Sequence, residues 1–248
     1  MSVALLYSAP EEMYTYHISE CEKKFNLIFP VFASTISRIF HTSIDKEQIK
    51  DSFLKMILFH DFGKLTQKWQ DNLGTNRKLP SHSTLGAAYL WKILPAGTRE
   101  PISFAVAIHH TDKGLLGDNI EKPDVQAILD GIVNYNGNII WHHETKNLSE
   151  DYFPEDAKKL TLSDLKEMAR GLRVWAKGCP ILEQHQRRLQ ASLAHHILKL
   201  CDISAAVKRK EYQKRSEQNY YGGWLMVENI KDCVENIRQR GDKCQKSS

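Results

Sequence analysis

The sequence predicts an all-α protein, a bundle of helices interrupted at most by a small irregular or β insertion. Three observations lead there. Apolar residues recur at three- and four-residue steps through most of the chain, several of these stretches begin or end at a histidine, and 42% hydrophobic residues among 248 suffice for a sizeable core. No internal repeat, low-complexity segment or linker divides the chain. Residues 1–248 are therefore read as one domain, with a core over about 13–114 and 180–206 and an insertion of unclear structure over about 115–179.

Composition narrows the setting. A net charge of +4 is mildly basic, which permits a polyanionic substrate without demanding one. Five cysteines, an odd number with no Cys-x-x-Cys spacing, suggest neither a zinc knuckle nor a disulfide framework, and fit a reducing compartment. The N-terminus lacks a basic segment followed by a long apolar core, and no later run approaches the length of a membrane span. A soluble, cytoplasmic protein with no membrane partner is expected.

In chain order, residues 8–11 read as a helix start with Pro10 in the first turn, after which Met13, His17, Cys21, Phe25 and Ile28 fall on one stripe. Pro30 is expected to kink or end that helix, with a second one over 31–40. Asp45 reads as the next N-cap, with Gln48 as its capping-box partner. Ile49, Phe53, Met56, Ile57 and His60 then continue a buried stripe. This stripe ends in Phe59-His60-Asp61-Phe62-Gly63-Lys64. Lys64 returns to the face of His60 if the helix persists, and Gly63 leaves room for something to approach the backbone. A core histidine satisfied by Asp61, with Lys64 as a helix C-terminal cation, is the alternative reading of that stretch.

Residues 71–81 form a loop carrying Arg77 and Lys78. His82 falls where the next helix begins, before Leu85, Ala88, Tyr89 and Trp91. Pro101 opens an almost wholly apolar helix over 102–108 that ends in His109-His110, either of which could alternatively cap the helix carbonyls. Helical patterns follow at 125–133 and 160–175, and 135–142 could be a short strand or irregular. His142-His143-Glu144 sits among Asn and Gly and reads as a solvated loop. Pro180 opens the longest helix, with Leu189, Leu193, Ile197, Leu200 and Ile203 on one stripe and Ala194, Leu198, Asp202, Ala205 and Ala206 on its neighbour. A carboxylate among small apolar residues is costly without a cation, so Asp202 reads as a ligand, with His195 and His196 as second choices. The tail, through Lys208, Tyr220, Tyr221 and Trp224, mixes cations with aromatics, which suits single-stranded nucleic acid and equally an amphipathic tail.

A His (His17), then His60-Asp61 with Lys64, then a single His (His82), then His109-His110, then a late Asp202, in that order, resembles the HD-domain metal-dependent phosphohydrolase superfamily. Within it, the pattern is similar to the HD nuclease of type I CRISPR interference in its separate, helicase-less form. The resemblance implies an HD-domain helical bundle with one divalent ion on His17, His60, Asp61 and Asp202 and a second on Asp61, His82, His109 and His110, Asp61 bridging. It implies Asp61 and Lys64 as the catalytic pair, Lys64 adding positive charge at the scissile phosphate. Imidazoles with carboxylates favour Mn, Fe, Co, Ni or Zn over Mg, and paired ions about 3.5–4 Å apart would activate water and neutralise the phosphate.

The resemblance further implies hydrolysis of single-stranded DNA, or of RNA, within an RNA-guided CRISPR effector complex. Because the chain has no Gly-x-x-x-x-Gly-Lys-Ser/Thr loop and too little length for helicase domains, the helicase is expected to be a separate subunit. An HD phosphohydrolase acting on nucleotides or cyclic nucleotides is the main alternative. A non-catalytic helical adaptor that keeps a metal for stability is the third.

Overall fold

The computed structural model describes residues 5–40, 45–110, 122–177 and 180–213. Its first helix, α1 (Tyr14–Ile39), buries Tyr14, His17, Ile18, Cys21, Phe25, Ile28 and Ile36, the stripe expected from the sequence except Met13, which lies before the helix and is only half-buried. Its beginning differs from expectation. Residues 8–11 are not a helix start but the end of one strand and the turn of a hairpin, β1 (Tyr7–Ala9) with β2 (Glu12–Met13), paired Tyr7 with Met13 and Ala9 with Glu12. Pro10 pre-sets the turn and Glu11 takes the positive φ of 64° behind it. Pro30 also departs from expectation, since α1 runs through it and residues 31–40 are no separate helix. Pro30 lies on the exposed side, where the carbonyl it leaves unbonded meets water, while the opposite face stays packed on its neighbours.

The second helix, α2 (Lys46–Phe59), starts after Asp45 as expected, but Asp45 makes no side-chain cap, so the capping box is absent. The helix ends one residue before His60. A 3-10 turn (Phe62–Leu65), not continued α-helix, brings Lys64 back toward Asp61. Next come α3 (Gln67–Asn72), the expected loop, then α4 (Ser83–Ile93), N-capped at His82, and α5 (Arg99–Ala107). Two glycines set how closely α4 crosses the end of α2. A Cβ on Gly63 would lie 2.2 Å from the His82 Cα, and one on Gly86 would lie 2.3 Å from the Phe59 carbonyl oxygen.

Beyond α5, α6 (Pro123–Leu129) stops short of the expected residue 133 because Gly131 turns the chain at φ 67°. Residues 130–161 are irregular, held by isolated bridges Val133 with Ile139, Thr66 with Trp141, and Asn138 with Thr161. This strap is not an appendage. Its Trp141 and Phe153 pack on Phe62 at centroid distances of 6.5 and 5.7 Å, and Phe62 in turn meets Phe59 and Tyr89, so the strap closes the core behind His60-Asp61. Helix α7 (Leu162–Ala176) begins with a true capping box, Thr161 and Asp164.

The long α8 (Ile181–Gln213) lies against α1 and α5 and buries Ala194, Ile197, Leu198, Leu200, Cys201 and Ala205. Leu189, expected on that stripe, is 57% exposed, because the face of α8 that packs on the body at this level carries Arg187, Gln190 and Ala191 instead. The aromatic part of the tail, Tyr220, Tyr221 and Trp224, lies outside the described residues. No helix among the described residues is long and apolar enough to cross a membrane.

Candidate metal centre

Three helix ends and two helix faces converge on Asp61. His60 and Asp61 follow the last turn of α2, His82 caps the start of α4, and His109 and His110 follow α5, while His17 projects from the second turn of α1 and Asp202 from α8. These placements follow from local structure. Helix ends leave carbonyls unpaired, and the Nδ1 of His60 meets the Ile57 carbonyl at 2.8 Å as that of His109 meets the Val106 carbonyl at 2.6 Å. Donating there fixes the tautomer, so each ring turns an unprotonated Nε2 inward. His17 is oriented through a carboxylate instead, its Nδ1 standing 3.4 Å from Glu12 Oε1 so that its Nε2 points inward.

Asp61 is fully buried and its two oxygens face two different sets of histidines. Oδ2 lies 3.5 Å from the Nε2 of both His17 and His60, and Oδ1 lies 3.4 Å from His82 Nε2 and 3.7 Å from His109 Nε2. Asp202 Oδ1 stands 3.3 Å from His17 Nε2, on the Oδ2 side. His110 is exposed but packs its ring 3.9 Å from that of His109 and 4.4 Å from that of His82. Lys64, buried, places Nζ 2.7 Å from Asp61 Oδ2. All seven expected ligands and Lys64 are thus brought into one place.

The electrostatics suit a cation. Burial works to raise the Asp61 carboxyl, but His60, Lys64, His109 and His82 outweigh it and hold it well below the usual carboxylate range. Asp202 is likewise held well below, burial being outweighed by the bond to His17 and by the His60 imidazole. Burial pushes His60 down, and burial with the nearby Lys64 pushes His82 down further. For His17 burial acts downward too, yet Cys21, Asp202 and Glu12 outweigh it and hold it up. Lys64 is raised, Asp61 and Asp202 outweighing its burial.

The residues present fit a divalent ion on each side of Asp61. The Nε2 atoms of His60, His82 and His109 are buried without a hydrogen-bond partner, a costly condition that a metal ion relieves. Ligand atoms bound tetrahedrally at about 2.0–2.1 Å stand about 3.3–3.4 Å apart, close to the separations found between these imidazoles and carboxylates. One group of donor atoms lying within 4.8 Å of one another comprises Asp61, His82, His109 and His110, and a second comprises His17, Cys21, His60 and Asp202.

Two of these neighbours were not expected at the site. Cys21 could have been found, since it stands one helical turn after His17. Glu12 could not, because it reaches His17 from a hairpin that has no helical period. The other histidines named from the sequence lie apart. His142 caps the short turn His143–Asn147, His143 is solvent-exposed as expected of a loop, and His195 and His196 line a groove among α5, α7 and α8. A cavity of about 330 Å3 opens beside His82 and His110, with Lys78 of the expected basic loop and Asp130 on its walls.

Helix order and the convergence of histidines on a buried His-Asp pair define a protein with the HD-domain fold. Among solved structures the chain is similar to the CRISPR-associated Cas3 HD domain protein MJ0384 from Methanocaldococcus jannaschii, with a TM-score of 0.58 and 17% identity, over 77% of this chain and 97% of that one. No protein-family model matches the sequence, and no curated protein matches it.

Proposed function

We propose that the chain is a metal-dependent nuclease that hydrolyses phosphodiester bonds of single-stranded DNA in CRISPR interference, beside a helicase supplied by another chain. The observation that carries this reading is Asp61, one buried carboxylate whose oxygens each face a separate set of imidazole nitrogens. Similarity to a CRISPR-associated Cas3 HD domain protein supports the setting.

Two bound ions would supply a water of lowered pKa and charge neutralisation on the phosphate. His17, His60, Asp202 and Asp61 would hold one, and His82, His109, His110 and Asp61 the other. Glu12 and the Ile57 and Val106 carbonyls keep the rings turned inward. Lys64 balances Asp61 and offsets the charge that grows on the phosphate oxygens. Exposed His110 and Lys78 mark the side from which a flexible strand enters. Hydrolysis of a nucleotide or cyclic nucleotide is the second reading, favoured by the mouth of about 330 Å3, a volume at the small-ligand scale.

The test is cleavage by metal-stripped protein resupplied with Mn, Ni, Co, Fe, Zn or Mg, comparing labelled single-stranded DNA, RNA, duplex DNA and a nucleotide panel, with Asp61→Ala alongside. Metal-dependent loss of single-stranded DNA that Asp61→Ala abolishes is the expected result. Intact polymer with hydrolysed nucleotides selects the second reading, and inertness toward every substrate overturns both.

A further inference from the structure

We infer that Cys21 is a thiolate ligand of the ion held by His17, His60 and Asp202, which makes the two halves of the centre chemically unequal. This rests on the metal-centre reading above and adds a donor of a different kind. Cys21 follows His17 by one turn on α1, so both side chains point along one face of the helix. Its Sγ lies 3.6 Å from His17 Nε2, and the donor atoms of His17, Cys21, His60 and Asp202 all lie within 4.8 Å of one another.

That spacing is what coordination requires. With a metal–sulfur bond of about 2.3 Å and a metal–nitrogen bond of about 2.0–2.1 Å, tetrahedral geometry separates S from N by about 3.5–3.6 Å. A second observation points the same way, since the fully buried His60 Nε2 aims at the group without a hydrogen-bond partner. As the sulfur–metal bond forms, the thiol proton leaves to water and no electron is transferred. The half beside Cys21 thereby gains a soft donor that selects Zn, Fe or Co over Mg or Mn, whereas the half around His82, His109 and His110 offers only nitrogen and oxygen.

Cobalt and zinc bound to the full-length chain provide the test. Cobalt substitution is expected to give a near-ultraviolet sulfur-to-cobalt charge-transfer absorption in addition to its visible bands, and zinc X-ray absorption a sulfur shell at about 2.3 Å. Both signals are expected to vanish in Cys21→Ser. Both are expected to survive in a variant keeping Cys21 as its only cysteine, with Cys179, Cys201, Cys233 and Cys244 changed to Ser, and this variant decides the matter should Cys21→Ser fail to fold. Cobalt bound by the wild type with visible bands but no sulfur signal overturns the role of Cys21 and leaves the metal centre standing. Failure of the wild type to bind cobalt overturns the centre and the thiolate with it.

Discussion

Replacing Gly63 by Ala probes the centre through its backbone without touching a donor atom. The added Cβ would lie 2.2 Å from the His82 Cα, 2.4 Å from its carbonyl oxygen and 2.6 Å from its carbonyl carbon. Carbon atoms rest at about 3.5 Å or more, so the two backbones must part by about 1.3 Å. No flexible side chain can absorb this, because the obstacle is main chain, and the bond from the Gly63 N–H to the His82 carbonyl at 3.2 Å is strained as well. Overpacking of this kind costs about 1–3 kcal/mol, or roughly 2–12 °C in Tm for a domain of this size. His82 sits at the N-cap position of α4, so the shift carries its Nε2 away from Asp61 Oδ1, now 3.4 Å off. Affinity for one ion of the pair should fall about 10–100-fold, the scale of a lost supporting contact, while the half on His17, His60 and Asp202 keeps its ion. Calorimetric melting with metal titration reads both effects. Unchanged Tm and unchanged occupancy of both halves would refute the argument that close backbone approach positions His82.

Three further outcomes follow from the same geometry. Glu12→Gln removes the charge behind His17 Nδ1 and should weaken the ion on the Asp202 side about 10–100-fold in a metal titration, with the other half unaffected. Phe153→Ala empties a wholly buried ring beside Phe62 and Trp141 and should cost about 3–5 kcal/mol in denaturant unfolding, as a core residue would and a loop residue would not. In metal-free protein, the lowered His60 and His82 contribute stability that is complete above the unfolded value of about 6.5 and declines as pH falls below it. Lowered Asp61 and Asp202 extend the decline below about pH 4. The raised His17 acts oppositely, its contribution being complete below about 6.5 and lost as pH rises through its folded value. Melting of metal-stripped protein should therefore fall steadily from pH 6.5 to 4, and a flat profile there would contradict the buried neutral histidines.

Much of the centre was legible because helix periodicity carries it. Asp202 on a stripe of alanines, His60 at the end of an apolar run and His82 at a helix start could each be placed from residue spacing alone. What escaped depends on contacts between distant segments. Glu12 acts from a hairpin whose turn at Pro10 mimics a helix start, since Pro suits both positions. Pro30 signals a break that packing of the opposite face overrides. Leu189 satisfies the stripe, yet α8 turns Gln190 and Ala191 to the body there and leaves Leu189 outward, a choice of face that no local pattern reports. Trp141 and Phe153 belong to a strap without regular structure, so their place beside Phe62 follows from aromatic packing between segments distant in sequence.

The account stands most directly on whether Asp61 bridges a pair of ions. Anomalous scattering from crystals of the protein grown with cobalt, an ion that both halves of the centre accept, would measure this. Two peaks about 3.5–4 Å apart are expected, one beside Oδ2 near His17, His60 and Asp202 and one beside Oδ1 near His82, His109 and His110. No peak at Asp61, with Lys64 still paired to Oδ2, would contradict it.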